Sequence, residues 1–410
     1  MNTEQRILSA VDDAYVVNLL QRLVRFPSIN RHLDPEGSCV EIARAVEDEL
    51  RSYGLPVTRD DRGVDQGWGP NVVATLGSGN PPVLILTTHM DVVPPYDLSR
   101  WHHPPFSGDI TDGVMHGRGT VDAKGSLAAM MAGVRAIARA GIELEGTVKL
   151  VAWTGDEAHP ATMAYFSGIT YLVRTDQLKG DALIWGEPYD LRVVRGSRGR
   201  VWLRYVVGGE ASHSASGAGV NAILSAARLI DAIYTIPRLT HPLLGTDTIN
   251  VGTIKGGVQT NMVPDSCTVT FDIRFGPPRS VADVLAQAQE RVDRLSRAVP
   301  GFRLLSADVP ERKEPVEYPE GLSLYEATIE AGVHAIGRRL EYGGALSFGD
   351  TSEWREQAGL RQICFFGPGK TAMAHAINEE IAIADLVAAA KIYALTAAAY
   401  CGAADSRVMI

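Results

Sequence analysis

Five stretches of this chain place imidazole or carboxylate side chains where a ligand can reach them. The first is His89 and Asp91, which follow the apolar run Val83-Leu84-Ile85-Leu86 and two threonines. They are two residues apart, so extended chain points both the same way. A metal-binding imidazole needs its second nitrogen held by a carboxylate or a carbonyl, and Asp91 is near enough to serve His89. The second is Asp122, in Gly117-Arg118-Gly119-Thr120-Val121-Asp122-Ala123-Lys124-Gly125, a glycine-punctuated turn before a helical pattern from near Ser126 to Ala140. A carboxylate at such an entry either binds a cation or caps the helix. The third is Asp156-Glu157 after Val148–Trp153, the fourth Glu187 after Ala182–Trp185, and the fifth His375 in Ala374-His375-Ala376-Ile377-Asn378-Glu379. Three of the five follow apolar strands, and ligands of open α/β sheets gather beyond the carboxyl ends of such strands. Taken singly, each has a structural explanation; taken together, five such sites make coincidence the poorer explanation.

The elements that must position these residues alternate. Up to about Arg192, apolar strands such as Val83–Thr88 and Val148–Trp153 alternate with helical patterns at Val40–Tyr53 and Ser126–Ala140, which predicts a parallel α/β sheet. From about Arg195 the order changes to strand Val201–Val207, helix Val220–Tyr234, strands Thr248–Ile254 and Cys267–Phe275, and helix Val281–Ala298, the order of a β-α-β-β-α-β insert. Glu311–Pro319 reads as the return linker, followed by a helix at Leu322–Gly337, a strand at Gln362–Phe366 and a last helix from about Glu380 to Ala399. The expected domains are 1–194 with 310–410, and 195–309. At 410 residues the chain is long for one core.

Net charge of −9 argues against nucleic acid or an anionic membrane as the main partner. Cys39, Cys267, Cys364 and Cys401 are scattered and form no dense disulfide framework, as in a reducing compartment. Met1–Asp13 lacks the apolar core, about 7–15 residues, of a signal peptide, and no run of about 18 apolar residues stands out as a membrane span. The expectation is a soluble, cytoplasmic protein.

Seven motifs, HMDVVP, GRGTVDAKGS, the carboxylate pair after Thr154, GEP, SHSASGAGVNA, GGVQTNMVPD with FDIR, and AHAINEE, occur in one order from about Val16 to Ala399. In that order the chain resembles the co-catalytic zinc metallopeptidase and amidohydrolase family of aminoacylase, carboxypeptidase G, acetylornithine deacetylase and succinyl-diaminopimelate desuccinylase. The resemblance implies a three-layer α/β/α catalytic domain with an inserted ferredoxin-like α+β lid that also forms a homodimer interface. It implies one or two divalent ions, zinc first, with manganese or cobalt as alternatives. His89, Asp122, Glu187 and His375 would be ligands, with Asp122 bridging two ions; Asp91 would belong to the catalytic set. His213 would reach the oxyanion from the lid, often across subunits, and Asn261 and Arg274 would contact the substrate's carboxylate side. From its residue type, Arg274 can equally pair with a structural Asp. Arg118 and Lys124 read as structural, and the glycine-rich Gly343–Thr351 matches a region that lines the family's substrate pocket.

The carboxylate pair departs from the family's Asp-Glu-Glu. Matching by letters makes Glu157 the general base and leaves Ala158 at the ligand position, with His159 as a substitute ligand. Matching by spacing from Asp122 and Gly146-Thr147 makes Asp156 the base and Glu157 the ligand, and strand register favours this choice. The implied activity is hydrolysis of an amide-type C–N bond in a small carboxylate-bearing substrate, such as an N-acyl amino acid or dipeptide. The shortened base also admits a non-peptide C–N bond, of an aromatic amine or carbamoyl group. From a different class, a non-catalytic binding protein on the same fold is the further alternative.

Overall fold

In the computed structural model, which describes residues 1–157, 167–346, 354–355 and 357–403, Val83–His89 is a strand buried from Leu84 onward. Its unbroken Val-Leu-Ile-Leu pattern suits a position covered on both faces. Thr147–Trp153 pairs parallel with it on one side and Ala182–Trp185 on the other. Gln362–Phe365 adds in parallel beyond Ala182–Trp185. Asn71–Gly77 and Val57–Asp60 extend the opposite edge antiparallel. Four parallel strands therefore end together at one edge. The two threonines that close Val83–His89 tie this edge: Thr87 Oγ1 donates to the Val151 carbonyl (3.0 Å) and Thr88 Oγ1 to that of Gly186 (2.7 Å). Their buried hydroxyls are thereby satisfied by the neighbouring strands.

The described chain divides into two units, Met1–Arg195 with Tyr318–Gly343 and Glu353–Ile410, and Gly196–Glu317 with Gly344–Ser352. In the first unit, helix Lys124–Arg139 lies against helix Ile383–Tyr400. A Cβ at Gly133 would sit 3.0 Å from the Ala390 carbonyl oxygen, so glycine lets the two backbones approach. Ile383–Tyr400 is long and apolar enough to cross a membrane, which corrects the expectation that no such run exists. Its apolar side chains are spent inside the unit: Leu386, Ala389, Ala390, Ile392, Tyr393 and Ala394 are all buried, and Tyr393 Oη donates to the Phe366 carbonyl (2.6 Å). A largely apolar helix suits a core position, and its Lys391 reaches the surface to pair with Asp13 (3.1 Å).

The second unit carries an antiparallel sheet in the order Thr248–Gly256, Ser266–Phe275, Gly199–Gly208, Arg303–Lys313. Val201, Leu203, Tyr205 and Val207 alternate inward from Gly199–Gly208 and join Leu229 and Ile233 of helix Ala222–Tyr234 and Val284 and Val292 of helix Val281–Ala298 in one core. This is the ferredoxin-like arrangement expected of the insert. The expected linker at Glu311–Pro319 is corrected in part. Glu311–Lys313 ends the long strand Arg303–Lys313, and Val316–Glu317 pairs with Gly196–Ser197. The second unit thus runs to Glu317 rather than to 309. Arg303–Lys313 is an edge strand with two register breaks and a proline, and most of its residues face solvent, so its composition carries little apolar alternation.

Candidate metal centre

The carboxyl edge of the parallel strands collects six side chains. His89 ends its strand, Asp156 and Glu157 follow Thr147–Trp153, Glu187 follows Ala182–Trp185, and His375 lies in the segment after Gln362–Phe365. Asp122 comes from the turn before helix Lys124–Arg139. Ala123, not Asp122, is the residue at that helix's cap, and no side chain caps it, so the Asp122 carboxylate is not engaged as a helix cap. Its two oxygens reach two different histidines: Oδ1 lies 3.1 Å from His89 Nε2 and Oδ2 lies 3.2 Å from His375 Nε2. Around His89 Nε2 stand Glu187 Oε1 at 3.6 Å and Asp156 Oδ2 at 4.0 Å; Glu157 Oε2 stands 2.9 Å from His375 Nε2. Ligand atoms of His89, Asp122 and Glu157, and those of His89, Asp156 and Glu187, lie within 4.8 Å of one another, and His375 approaches both Asp122 and Glu157.

The electrostatics of the cluster call for cations. Burial pushes the Glu157 carboxyl up to about 8, reinforced by the charge of Asp122, and burial likewise lifts Glu187 well above the usual carboxylate range. Burial also opposes the charge on Asp122, yet its hydrogen bonds to His375 and then His89 hold it below that range. His375 is raised to about 11 by its bonds to Asp122 and then Glu157. In His89 burial works against protonation but is outweighed by the charge of Asp156, the bond to Asp122 and the charge of Glu187. Protons on the two imidazoles balance only two carboxylates, and the raised Glu157 and Glu187 carboxyls hold protons as well. Glu157 Oε1 and Glu187 Oε1 are buried and accept no hydrogen bond. Orphaned carboxylate oxygens beside imidazole nitrogens fit divalent ions, whose binding displaces such protons.

Support for the cluster comes from two buried carboxylates. Asp91 was expected beside His89, but its carboxylate oxygen lies 3.7 Å from His89 Nδ1, and the nearer partner is its own backbone carbonyl at 2.9 Å. The carboxylate instead accepts from the backbone N–H of Gly155 (3.0 Å), Asp156 (3.4 Å) and Glu157 (3.0 Å), and from Asn30 Nδ2 (2.6 Å). It therefore sets the register of the acidic pair. Gly155 adopts φ +103 with Trp68 packed where a side chain would begin, a bend that suits glycine. The second carboxylate, Glu379, had no assigned role. It is fully buried and accepts from Arg118, Gly119, Val121 and Asp122. Neither Asn30 nor Glu379 shows a local signal beyond the motif in which Glu379 sits, since their partners are distant in sequence.

His213, Asn261 and Arg274 lie in the second unit. His213 is exposed, with Nδ1 accepting from the Ala215 N–H (3.1 Å). Ser212–His213 pairs with Met262–Val263, and Ser214 N–H donates to the Asn261 carbonyl (3.0 Å), so His213 and Asn261 share one short ladder. Arg274 donates from Nε and Nη2 to its strand neighbour Asp272 (2.8 and 2.9 Å), the structural pairing that its residue type left open. His159 and the part of the glycine-rich run beyond Leu346 lie outside the described residues. Arg118 and Lys124 are buried, with Lys124 Nζ donating to the Phe26 carbonyl (2.7 Å).

Residues 85–399, which include all six side chains of the cluster, match peptidase family M20/M25/M40. The chain belongs to that family. It is 27% identical over 403 residues to a probable carboxypeptidase of Aspergillus oryzae, covering 93% of this chain and 90% of the relative. Its fold is similar to that of an M20 family metallo-carboxypeptidase from Sulfolobus solfataricus, with a TM-score of 0.74, 20% identity, and 94% and 99% of the two chains covered. It is similar also to a dinuclear metal binding peptidase of the M20 family from Bacillus subtilis, with a TM-score of 0.71, 16% identity, and 95% and 99% covered. This M20 chain is a metal-dependent hydrolase of amide-type C–N bonds in small substrates. The expectation of a non-catalytic binding protein falls with that assignment.

Proposed function

We propose that this M20 chain hydrolyses the amide bond of a dipeptide or N-acyl amino acid that carries a free carboxylate, with a pair of divalent ions held across Asp122. The observation that carries this reading is the division of one carboxylate between two histidines, at 3.1 and 3.2 Å. His89 and Glu187 would hold one ion, His375 and Glu157 the other. Mixed imidazole and carboxylate donors suit zinc first, and manganese or cobalt next. Such ions, when bound, supply Lewis acidity that eases deprotonation of water and polarises the scissile carbonyl.

The chain's own residues do the rest. Asp156, a quarter exposed at the margin of the cluster, takes the proton from water and passes it to the leaving amine. Asp91 keeps Asp156 and Glu157 turned to their separate tasks. His213 donates to the developing oxyanion. Arg274 uses two of its five N–H donors on Asp272, which fixes its plane and leaves an edge for the substrate carboxylate, beside Asn261 as a further contact. The edge strand Thr248–Gly256, with exposed Ile254 and with Val258, Met262 and Leu224 also exposed in the same unit, supports a homodimer through the insert. Four buried free cysteines support a reducing, cytoplasmic setting.

Chelation tests the reading. Removing metal should abolish turnover of a panel of N-acyl amino acids and dipeptides, and zinc, manganese or cobalt should restore it. Metal should also raise the melting temperature, because it binds only the folded site. Full turnover by metal-free protein would overturn the assignment.

A further inference from the structure

The turn that carries Asp122 and the segment that carries His375 are far apart in sequence, and the buried pair Arg118 and Glu379 helps to join them. Strand Glu380–Ala382 pairs antiparallel with Val114–His116, with Glu380 opposite His116. That register sets Glu379 against Gly117, whose N–H donates to the Glu379 carbonyl (2.9 Å). The Glu379 carboxylate then faces the whole Asp122 turn. One oxygen accepts from Val121 N–H (2.8 Å) and Asp122 N–H (3.0 Å), the other from Gly119 N–H (3.0 Å) and Arg118 Nη1 (2.6 Å). Four donors occupy the carboxylate's acceptor sites. Arg118, itself buried and lying 5.3 Å above the Trp101 ring, sends Nη2 on to the His375 carbonyl (3.4 Å). His375 has φ 60, a left-handed conformation that a non-glycine residue keeps only when its surroundings hold it.

His89 and Glu187 are held by different means. His89 leans on the Asp91 carbonyl, and Gly186, next to Glu187, is fixed by Thr88 and by its N–H to the Thr87 carbonyl (2.7 Å). Neither touches Glu379 or Arg118 in the contacts above. Asp91 reaches both halves, through its carbonyl to His89 and its carboxylate to the N–H of Glu157, whereas Glu379 and Arg118 reach only the Asp122 turn and the His375 segment.

We infer that Glu379 and Arg118 are positioning residues that hold Asp122 and His375 as one preformed pair, and so set the affinity of the ion on the His375–Glu157 side rather than that on the His89–Glu187 side. The inference rests on the paired-ion reading above. Loss of an outer-shell partner typically weakens a metal site about 10–100-fold. A clamp acting on one side should place most of that loss on one ion.

The experiment is a titration of metal-free protein with zinc in a competing chelator, read as two dissociation constants, for wild type, Glu379→Gln and Arg118→Lys. Glu380→Gln is the control: it alters the adjacent carboxylate, which faces His116 instead. Folding is checked by circular dichroism of the metal-free proteins. Glu379→Gln should weaken one ion by about 10–100-fold, leave the other within a few-fold, and regain turnover when zinc is raised. Arg118→Lys keeps the charge but loses the planar fork, so it should show the same asymmetry more mildly. The control should bind both ions as wild type does. Unchanged affinities in a folded Glu379→Gln, or equal weakening of both ions, would overturn the clamp. If Glu379→Gln does not fold, Arg118→Lys is judged by the same criteria. A wild-type chain that binds one ion overturns the paired-ion reading itself, a result distinguishable from two ions with unaltered affinities in the variants.

Discussion

The acidic pair Asp156-Glu157 offers the sharpest test, because its two members are assigned different work from adjacent positions. The Asp91 carboxylate gathers the N–H groups of residues 155 to 157, and the side chains diverge from that anchor. Glu157 Oε2 lands 2.9 Å from His375, inside the cluster, while Asp156 Oδ2 stops 4.0 Å from His89 at its margin. Replacing Asp156 by the isosteric Asn leaves the volume unchanged, so no cavity term enters. What is lost is a proton acceptor. A general base contributes about 10²–10⁴-fold, which corresponds to roughly 2.7–5.4 kcal/mol in the barrier. Metal content should stay at the wild-type value. Glu157→Gln should do the reverse. It removes a charge-assisted partner of His375, and a neutral amide is the poorer ligand, so about one ion per chain should be lost at a free metal concentration that saturates wild type. Elemental analysis after dialysis against buffered metal, paired with single-turnover rates, separates the cases. A turnover-dead Glu157→Gln with both ions in place, together with an Asp156→Asn that loses metal, refutes the assignment and makes Glu157 the base.

Two further outcomes follow from the fold. If His213 serves the partner's site, His213→Ala and Asp122→Ala are each nearly dead alone, but hybrids have one working site, so subunits mixed at random should show about a quarter of wild-type turnover; no recovery in a mixture with hybrids shown to form confines His213 to its own chain. Lys124 is fully buried, and burial chiefly draws it down from 10.5 to about 7. Across that window unfolding takes up a proton, so stability rises with pH, and Lys124→Met should flatten the melting-temperature profile over the same range, whereas an unaltered slope would sink the argument.

Much of the candidate site is legible in the sequence because His89, the Asp156-Glu157 pair and Glu187 close or follow apolar strands. Val83–His89, Thr147–Trp153 and Ala182–Trp185 are buried runs whose ends can be read within a residue, and a parallel sheet brings such ends to one edge. The spacing argument for Glu157 has the same basis, the strand's end rather than the letters after it, and Glu157 Oε2 lies 2.9 Å from His375 Nε2. Arg303–Lys313 is illegible because an exposed, bulged edge strand needs no apolar alternation. Asp91 is half legible. Its closeness to His89 follows from the strand, but its carboxylate turns to three N–H groups on a loop about 65 residues away, a choice that depends on where that loop folds.

Glu379 marks the further limit of such reading. A carboxylate proposed to coordinate metal and one that holds the Asp122 turn are the same residue type, and Glu379 lies in one short motif with His375. What separates them is hydrogen bonding. Glu157 and Glu187 each keep a buried oxygen without a hydrogen-bond partner, as a ligand-accepting group must, whereas the Glu379 carboxylate accepts four donors and has nothing left to offer a metal. Asp122 differs from Asp91 in the kind of partner: Asp122 points both oxygens at imidazoles, while Asp91 spends its own on backbone and Asn30. The partners of the carboxylate oxygens, which only the folded chain shows, therefore separate the proposed ligands from the scaffold among acidic residues that the sequence presents as equals.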